Sequence, residues 1–115
     1  MNNSTYPLDL LYGVILERKQ TDSENSYTRY LFEQGLDKIL KKVGEECSET
    51  IIAAKNSERG GGSELLVGEV SDLIYHLMVM LVQLDVPLEQ VYAELDARAE
   101  KRGNLKAMKT TDKNT

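Results

Sequence analysis

The feature that most constrains this chain is a long apolar run, residues 65–82, with ionisable side chains in its interior. Glu69, Asp72 and His76 are spaced i, i+3 and i+7, so on a helix they project from one face. The other faces are apolar, which indicates that the helix is buried. A buried carboxylate needs a positive partner, but residues 60–97 contain no lysine or arginine. The partner must come from elsewhere, and a metal ion is the simplest candidate.

Length and composition restrict the class of protein. A chain of 115 residues has room for one domain, and a net charge of −5 without a basic stretch argues against nucleic-acid binding. The single cysteine, Cys47, fits a reducing cytosol, so we expect a cytoplasmic protein. Residues 1–7 lack the basic start of a signal peptide. Glu69 and Asp72 within the apolar run argue against a membrane span.

Helical periodicity predicts an all-α fold. The predicted helices cover about residues 8–19, 36–55, 64–84 and 88–101. A polar connection, residues 20–30, joins the first two helices, and a glycine-rich segment, residues 56–63, joins the second to the third. We therefore expect a four- to five-helix bundle in one domain, residues 1–103, followed by a flexible polar tail, residues 104–115.

The third predicted helix also bears on the oligomeric state. It is too apolar for a small bundle to cover easily, so its second side is expected to pack against another subunit. We therefore expect a homodimer. The alternative is that the other helices bury it within a single chain.

A second acidic pair lies on the preceding helix. Glu46 and Glu49 are spaced i, i+3 beside the apolar stripe, and a short hairpin can place them opposite Glu69 and Asp72. Four converging carboxylates make a site for a hard cation. Mg²⁺ fits best, and Mg²⁺ held by carboxylates indicates phosphate chemistry. The alternative is a solvated acidic face that pairs with lysines of its own helix.

These residues resemble a known family. The run EECSE at 45–49, followed by EVSD at 69–72, resembles the EExxE…ExxD signature of the all-α MazG-like nucleoside-triphosphate pyrophosphohydrolases. Within that superfamily, three segments are similar to the phosphoribosyl-ATP pyrophosphohydrolase family: SYT at 26–28, KVGEE at 42–46 and DLIYHL at 72–77. The resemblance covers about residues 8–102. Cys47 and Ser71 stand where the family commonly has alanine, and both are small enough for a packed helix.

The resemblance implies hydrolysis of phosphoribosyl-ATP to phosphoribosyl-AMP and pyrophosphate, the second step of histidine biosynthesis, with Mg²⁺ as cofactor. Water would attack the triphosphate at phosphorus, and the bridge between the α and β phosphorus atoms would break. In this interpretation the metal ligands are Glu46, Glu49, Glu69 and Asp72. Glu45 is the candidate base, so the predicted catalytic residues are Glu45, Glu46 and Glu49.

Candidate substrate-binding residues are the cations, hydroxyl groups and histidine around the acidic helices. They are Arg18, Lys19, Ser26, Tyr27, Thr28, Lys42, Lys55 and His76. Cations and hydroxyl groups suit phosphate binding. Each has a structural alternative, because segment 26–28 can cap a helix, lysines are often surface residues and His76 can be a hydrogen-bonded core residue. With one Phe and no Trp in the chain, Tyr27 or Tyr30 would have to hold the adenine.

Two other functions are compatible with the same acidic residues. One is a pyrophosphohydrolase of the same superfamily that acts on nucleotides such as dUTP or dCTP. The other is a helical interaction module that binds a metal ion without catalysis. A panel of substrates distinguishes the first, and tight metal binding without hydrolysis would favour the second.

Overall fold

The computed structural model describes residues 6–21 and 25–102, and in these ranges it contains helices and no strand. The helices are α1 (Pro7–Gln20), α2 (Tyr27–Gln34), α3 (Leu36–Asn56), α4 (Glu64–Gln83) and α5 (Leu88–Arg102). The predicted all-α fold is confirmed. The predicted domain boundary at residue 103 and the tail at 104–115 lie outside the described residues.

Helices α3 and α4 form a hairpin, and their packing is the most extensive helix–helix contact in the described chain. An irregular helical turn, Ser57–Gly61, leads out of α3. Gly60 and Gly62 have φ angles of 92° and 79°, in the left-handed region that glycine adopts without strain. A Cβ atom on Gly61 would lie 2.8 Å from the carbonyl oxygen of Asn56, so a side chain does not fit there. The three glycines therefore build the reversal that sets α4 against α3.

The hydrophobic core lies around the carboxyl-terminal half of α4. All five helices contribute to it: Ile15, Leu31, Ile39, Met78, Val79, Val82 and Leu88. The amino-terminal half of α4 differs, because Leu65 and Val67 are 70% and 61% exposed. Ile51 and Ile52 of α3 are similarly exposed. We call these four residues the uncovered hairpin residues, and they leave apolar surface of the α3–α4 hairpin open to solvent in a single chain.

Helix α2 is the element that the sequence pattern does not predict, since its first turn lies in the segment interpreted as a polar connection. The Ser26 hydroxyl accepts a hydrogen bond from the backbone N–H of Arg29 at 3.1 Å and caps the helix. Leu31 is fully buried against the core. The prediction of a connection up to residue 30 is therefore wrong from Tyr27 onward. An eight-residue helix has little intrinsic stability and depends on such tertiary contacts.

By length and composition α4 could cross a membrane, a property that core helices of globular bundles share. Its interior carries Glu69 and Asp72, which are costly in a bilayer. It also packs on both α1 and α3. We therefore describe α4 as the central helix of a bundle.

Candidate active site

Three of the four predicted metal ligands meet between α3 and α4. Glu46 and Glu49 lie one turn apart on α3, and Glu69 faces them from α4. One carboxylate oxygen from each of the three lies within 4.8 Å of the other two. Glu46 is buried, Glu69 is half-buried and Glu49 is exposed, so this carboxylate cluster is open to solvent on one side. A single cation could contact all three side chains.

Two oxygens of the carboxylate cluster are buried without a partner. Oε2 of Glu46 and Oε2 of Glu69 make no hydrogen bond within the described part of the chain. A hydrogen bond to Glu49, burial and the negative charges of Glu49 and Glu46 raise the pKa of Glu69 to about 7. Burial, with the charges of Glu49 and Asp72, also raises the pKa of Glu46. Mutually repelling carboxylates with orphaned oxygens are a donor set that suits a hard divalent cation such as Mg²⁺.

Asp72, the fourth predicted ligand, lies at the edge of the carboxylate cluster. Its side chain is exposed and is not among the three mutually close carboxylates. Its negative charge nevertheless contributes to the raised pKa of Glu46, which places it nearby. Direct ligation by Asp72 therefore stays a prediction.

The candidate base, Glu45, is engaged with a lysine at the rim of the carboxylate cluster. Lys42 Nζ lies 3.3 Å from Glu45 Oε1. This hydrogen bond raises the pKa of Lys42. Lys42 and Glu46 have opposite effects on the pKa of Tyr27, which burial raises, so all three side chains lie in one region. Lys42 thus brings a positive charge to the border of an acidic site.

Residues 26–28 anchor the start of α2 to α4. Besides the cap formed by Ser26, the Tyr27 hydroxyl lies 3.1 Å from Nε2 of His76. The Thr28 hydroxyl hydrogen-bonds to the hydroxyl of Tyr75. The capping role considered as the alternative for Ser26 is observed. A phosphate contact by any of these residues stays a prediction.

His76 is buried, at 5% exposure, and both of its ring nitrogens are engaged. Nδ1 lies 2.8 Å from the carbonyl oxygen of Asp72, so this nitrogen donates. In the neutral imidazole, Nε2 then accepts from the Tyr27 hydroxyl. This geometry matches the alternative of a hydrogen-bonded core histidine, and a substrate contact by His76 stays a prediction. The sequence does not predict the hydrogen bond between Tyr75 and Thr28, because the two residues are 47 positions apart and no local pattern connects them.

The structure places Lys19 away from the carboxylate cluster. Its Nζ donates to the carbonyl oxygen of Val82 at 3.3 Å and lies 3.9 Å from Asp85. Val82 follows Glu69 by 13 residues, which is about 20 Å along a helix axis. Lys19 therefore interacts with the far end of α4.

The other two predicted cations do not contact the carboxylate cluster within the described ranges. Arg18 is half-buried in the last turn of α1. Lys55 pairs with Glu58 where α3 runs into the hairpin turn. Their assignment to substrate binding stays a prediction.

Comparison with known proteins identifies the family of this chain. Residues 8–99 match the family model described as phosphoribosyl-ATP pyrophosphohydrolase. The chain is 52% identical over 99 residues to the phosphoribosyl-ATP pyrophosphatase of Clostridium novyi (strain NT), covering 86% of each chain. It is 56% identical over 92 residues to the phosphoribosyl-ATP pyrophosphatase of Pelotomaculum thermopropionicum, covering 80% of this chain and 90% of the relative.

The phosphoribosyl-ATP pyrophosphatase of Clostridium botulinum (strain Kyoto / Type A2) is 49% identical over 109 residues, which cover 95% of this chain and 96% of the relative. The matches cover 86%, 90% and 96% of the lengths of these three relatives. The family expected from the sequence motifs is confirmed, and the chain belongs to the phosphoribosyl-ATP pyrophosphohydrolase family.

Proposed function

We propose that this chain hydrolyses phosphoribosyl-ATP to phosphoribosyl-AMP and pyrophosphate, the second step of histidine biosynthesis. Family membership supplies the substrate. The observation that carries the chemistry is the carboxylate cluster of Glu46, Glu49 and Glu69, two of whose oxygens are buried without partners. Such a cluster binds a hard cation, and the triphosphate is the substrate group that a hard cation activates.

The proposed cofactor is Mg²⁺. Glu46, Glu49 and Glu69 would hold it, and Asp72, at the edge of the carboxylate cluster, is the proposed fourth ligand. When bound, Mg²⁺ neutralises charge on the phosphate oxygens and so favours attack at phosphorus. A few carboxylates on two helices leave coordination positions for water and phosphate, as Mg²⁺ sites commonly do.

In the proposed reaction a water oxygen forms a bond to phosphorus while the bridging P–O bond between the α and β phosphorus atoms breaks. Pyrophosphate leaves with the electron pair of that bond. Glu45 accepts the proton of the water, because it adjoins the ligand Glu46 in sequence and its own side chain is exposed. Lys42 now pairs with Glu45, and a phosphate that attracts Lys42 would free the Glu45 carboxylate for this role.

The remaining predicted substrate-binding residues differ in their position relative to the carboxylate cluster. Lys42 is the proposed phosphate contact. Ser26, Tyr27, Thr28 and His76 hold α2 beside the carboxylate cluster, so hydroxyl groups of residues 26–28 border the proposed pocket. Arg18, Lys19 and Lys55 do not contact the cluster within the residues described for one chain. Their contact with phosphate groups of the substrate stays a prediction.

We propose a homodimer in which the second copy covers the uncovered hairpin residues. A groove of about 200 Å³ runs between α3 and α4 and contains apolar side chains next to two of the proposed ligands: Glu49, Ile52, Ala53, Asn56, Leu65 and Glu69. A surface region that contains several exposed apolar side chains is typical of a subunit interface. A second copy on this groove would also close the open side of the carboxylate cluster.

The proposed setting is the cytoplasm, without a membrane or nucleic-acid partner. The substrate is a small metabolite, and the net charge of −5 disfavours binding to polyanions. The carboxylates within α4 disfavour membrane insertion.

The test is pyrophosphate release by the purified protein with Mg²⁺, comparing phosphoribosyl-ATP with ATP, dUTP and dCTP. We expect selective hydrolysis of phosphoribosyl-ATP that stops on addition of EDTA. Glu69→Gln should be folded and inactive, whereas Glu64→Gln, an exposed position on the first turn of the same helix, should retain activity. Preference for dUTP or dCTP would overturn the substrate assignment. Full turnover by Glu69→Gln would overturn the metal site.

A further inference from the structure

Three tyrosine rings form a row from α4 to the outside of the bundle. The ring centroids of Tyr75 and Tyr27 are 6.2 Å apart, and those of Tyr27 and Tyr30 are also 6.2 Å apart. The interplanar angles are 27° and 28°, so each ring is stacked on its neighbour with a moderate tilt. We propose that Tyr30 and Tyr27 form the surface on which the purine base of the substrate stacks, an inference that rests on the proposed function.

The row is held rigidly at its inner end. Tyr75 bonds to Thr28, and the Tyr27 hydroxyl bonds to His76, whose ring lies edge-on at 5.9 Å. His76 in turn bonds to the backbone of Asp72, at the edge of the carboxylate cluster. The inner rings therefore have a fixed position relative to the proposed metal site, as a binding surface for a flat ligand requires.

The outer end of the row is accessible. Tyr27 is 45% exposed and Tyr30 is 42% exposed. Tyr30 has a ring neighbour on the Tyr27 side only, among the residues that the structure describes. Of the described aromatic side chains, the only other one this exposed is Tyr6, which precedes α1. Tyr27 and Tyr30 are thus the aromatic surface available near the carboxylate cluster.

The chemistry of this surface fits a purine. An aromatic ring face attracts another flat π system, and stacking on tyrosine tolerates substituents at the base edge. With the triphosphate at the carboxylate cluster and Lys42, the purine base would extend from that cluster toward the tyrosine row. Charge at Lys42 and Glu46 reaches Tyr27, which places the row at the border of the same pocket.

The test compares Tyr30→Ala, which removes the ring, with Tyr30→Phe, which keeps it. Leu10→Ala, at a similarly exposed position on α1, is the matched control. We expect Tyr30→Ala to raise the KM for phosphoribosyl-ATP about tenfold with little change in kcat, since one base–aromatic stack is lost. Tyr30→Phe and Leu10→Ala should keep the wild-type KM. An unchanged KM in Tyr30→Ala overturns the proposal.

A second measurement is independent of turnover. Tyrosine ring signals in NMR spectra are followed while AMP or ribose 5-phosphate is added. We expect AMP alone to shift the Tyr27 and Tyr30 signals, and Tyr30→Ala to weaken AMP binding. Equal AMP binding by Tyr30→Ala and wild type overturns the proposed stacking surface, whether or not wild type hydrolyses phosphoribosyl-ATP. Failure of wild type to hydrolyse phosphoribosyl-ATP would separately refute the proposed function. A change from dimer to monomer in Tyr30→Ala also overturns it, because the ring would then belong to an interface.

Discussion

Mg²⁺ binding to the carboxylate cluster should depend strongly on pH between 6 and 8. Without a metal ion, the pKa of Glu69 is raised to about 7 because it hydrogen-bonds to Glu49 in a partly buried acidic cluster. The carboxyl group of Glu69 must lose its proton before it can bind a cation. At pH 8 the carboxylate is mostly ionised and binding is unhindered. At pH 6 most molecules are protonated at Glu69, and metal binding competes with the proton.

The magnitude follows from this single pKa. A group with a pKa of about 7 is roughly 90% protonated at pH 6 and roughly 10% protonated at pH 8, so the apparent Mg²⁺ affinity should fall about tenfold between pH 8 and pH 6. The raised pKa of Glu46 acts in the same direction. Close to one proton should therefore be released per metal ion at pH 6, and almost none at pH 8.

Isothermal titration calorimetry with Mg²⁺ measures both quantities, because titrations in buffers of different ionisation enthalpy count the protons released. Glu69→Gln removes the titrating group and should eliminate most of the proton release. Equal affinity at both pH values, without proton release, would refute the reasoning. Proton release that persists in Glu69→Gln would place the titrating group elsewhere.

The same pKa fixes the sign of a stability change in the metal-free protein. The pKa of Glu69 in the folded chain, about 7, lies above its ordinary value of 4.5. Between these values the folded chain binds more protons than the unfolded chain. Stability should therefore be greatest below pH 4.5, as far as Glu69 contributes, and fall as pH rises through 7. Thermal unfolding in EDTA should show Glu69→Gln losing less stability than wild type over this range, and parallel curves would contradict the assignment.

Single substitutions test the remaining assignments. Glu45→Gln should lower kcat about 10²- to 10⁴-fold, the usual contribution of a general base, while calorimetry shows unchanged Mg²⁺ binding. An active Glu45→Gln would move the base to another residue. Val67→Asp places a charge among the uncovered hairpin residues and should give monomers by light scattering; a wild-type protein that is already monomeric contradicts the dimer. Thr28→Val and Tyr75→Phe should each cost about 1 kcal/mol in urea unfolding, and their double variant no more than about the same, since both remove one hydrogen bond.

The sequence predicts those parts of the fold and site whose signals are local. Helices α3 and α4 are long and periodic, so they were predicted to within a few residues. The spacing of Glu46 to Glu49 places two carboxylates one turn apart, and the glycine-rich hairpin then brings Glu69 opposite them. The prediction of a carboxylate site needs only the geometry of a helix and a chain reversal between two helices. The carboxylate cluster contains three of the four predicted metal ligands.

The remaining features depend on contacts between distant residues. Lys19 has the positive charge expected of a phosphate ligand, but its position is set by a hydrogen bond to the carbonyl oxygen of Val82, 63 residues later in the chain. Helix α2 is short and amphipathic, and its stability comes from the burial of Leu31 and from side-chain bonds to α4. The partners in these hydrogen bonds are far apart in the sequence, so a pattern-based prediction assigns these residues by chemical type alone.

The carboxyl-terminal half of α4 stabilises the fold, and the amino-terminal half carries the proposed metal ligand Glu69. Met78, Val79 and Val82 lie in the closed core, to which all five helices contribute. Glu69 lies about two and a half to three and a half turns earlier, in the half of the helix that carries the exposed Leu65 and Val67, and its carboxylate repels those of α3. A repulsive cluster destabilises the metal-free fold, and it can persist because the core at the other end of α4 holds the helix in place independently of it. This arrangement leaves the orphaned oxygens free to gain their interactions from a cation rather than from the protein.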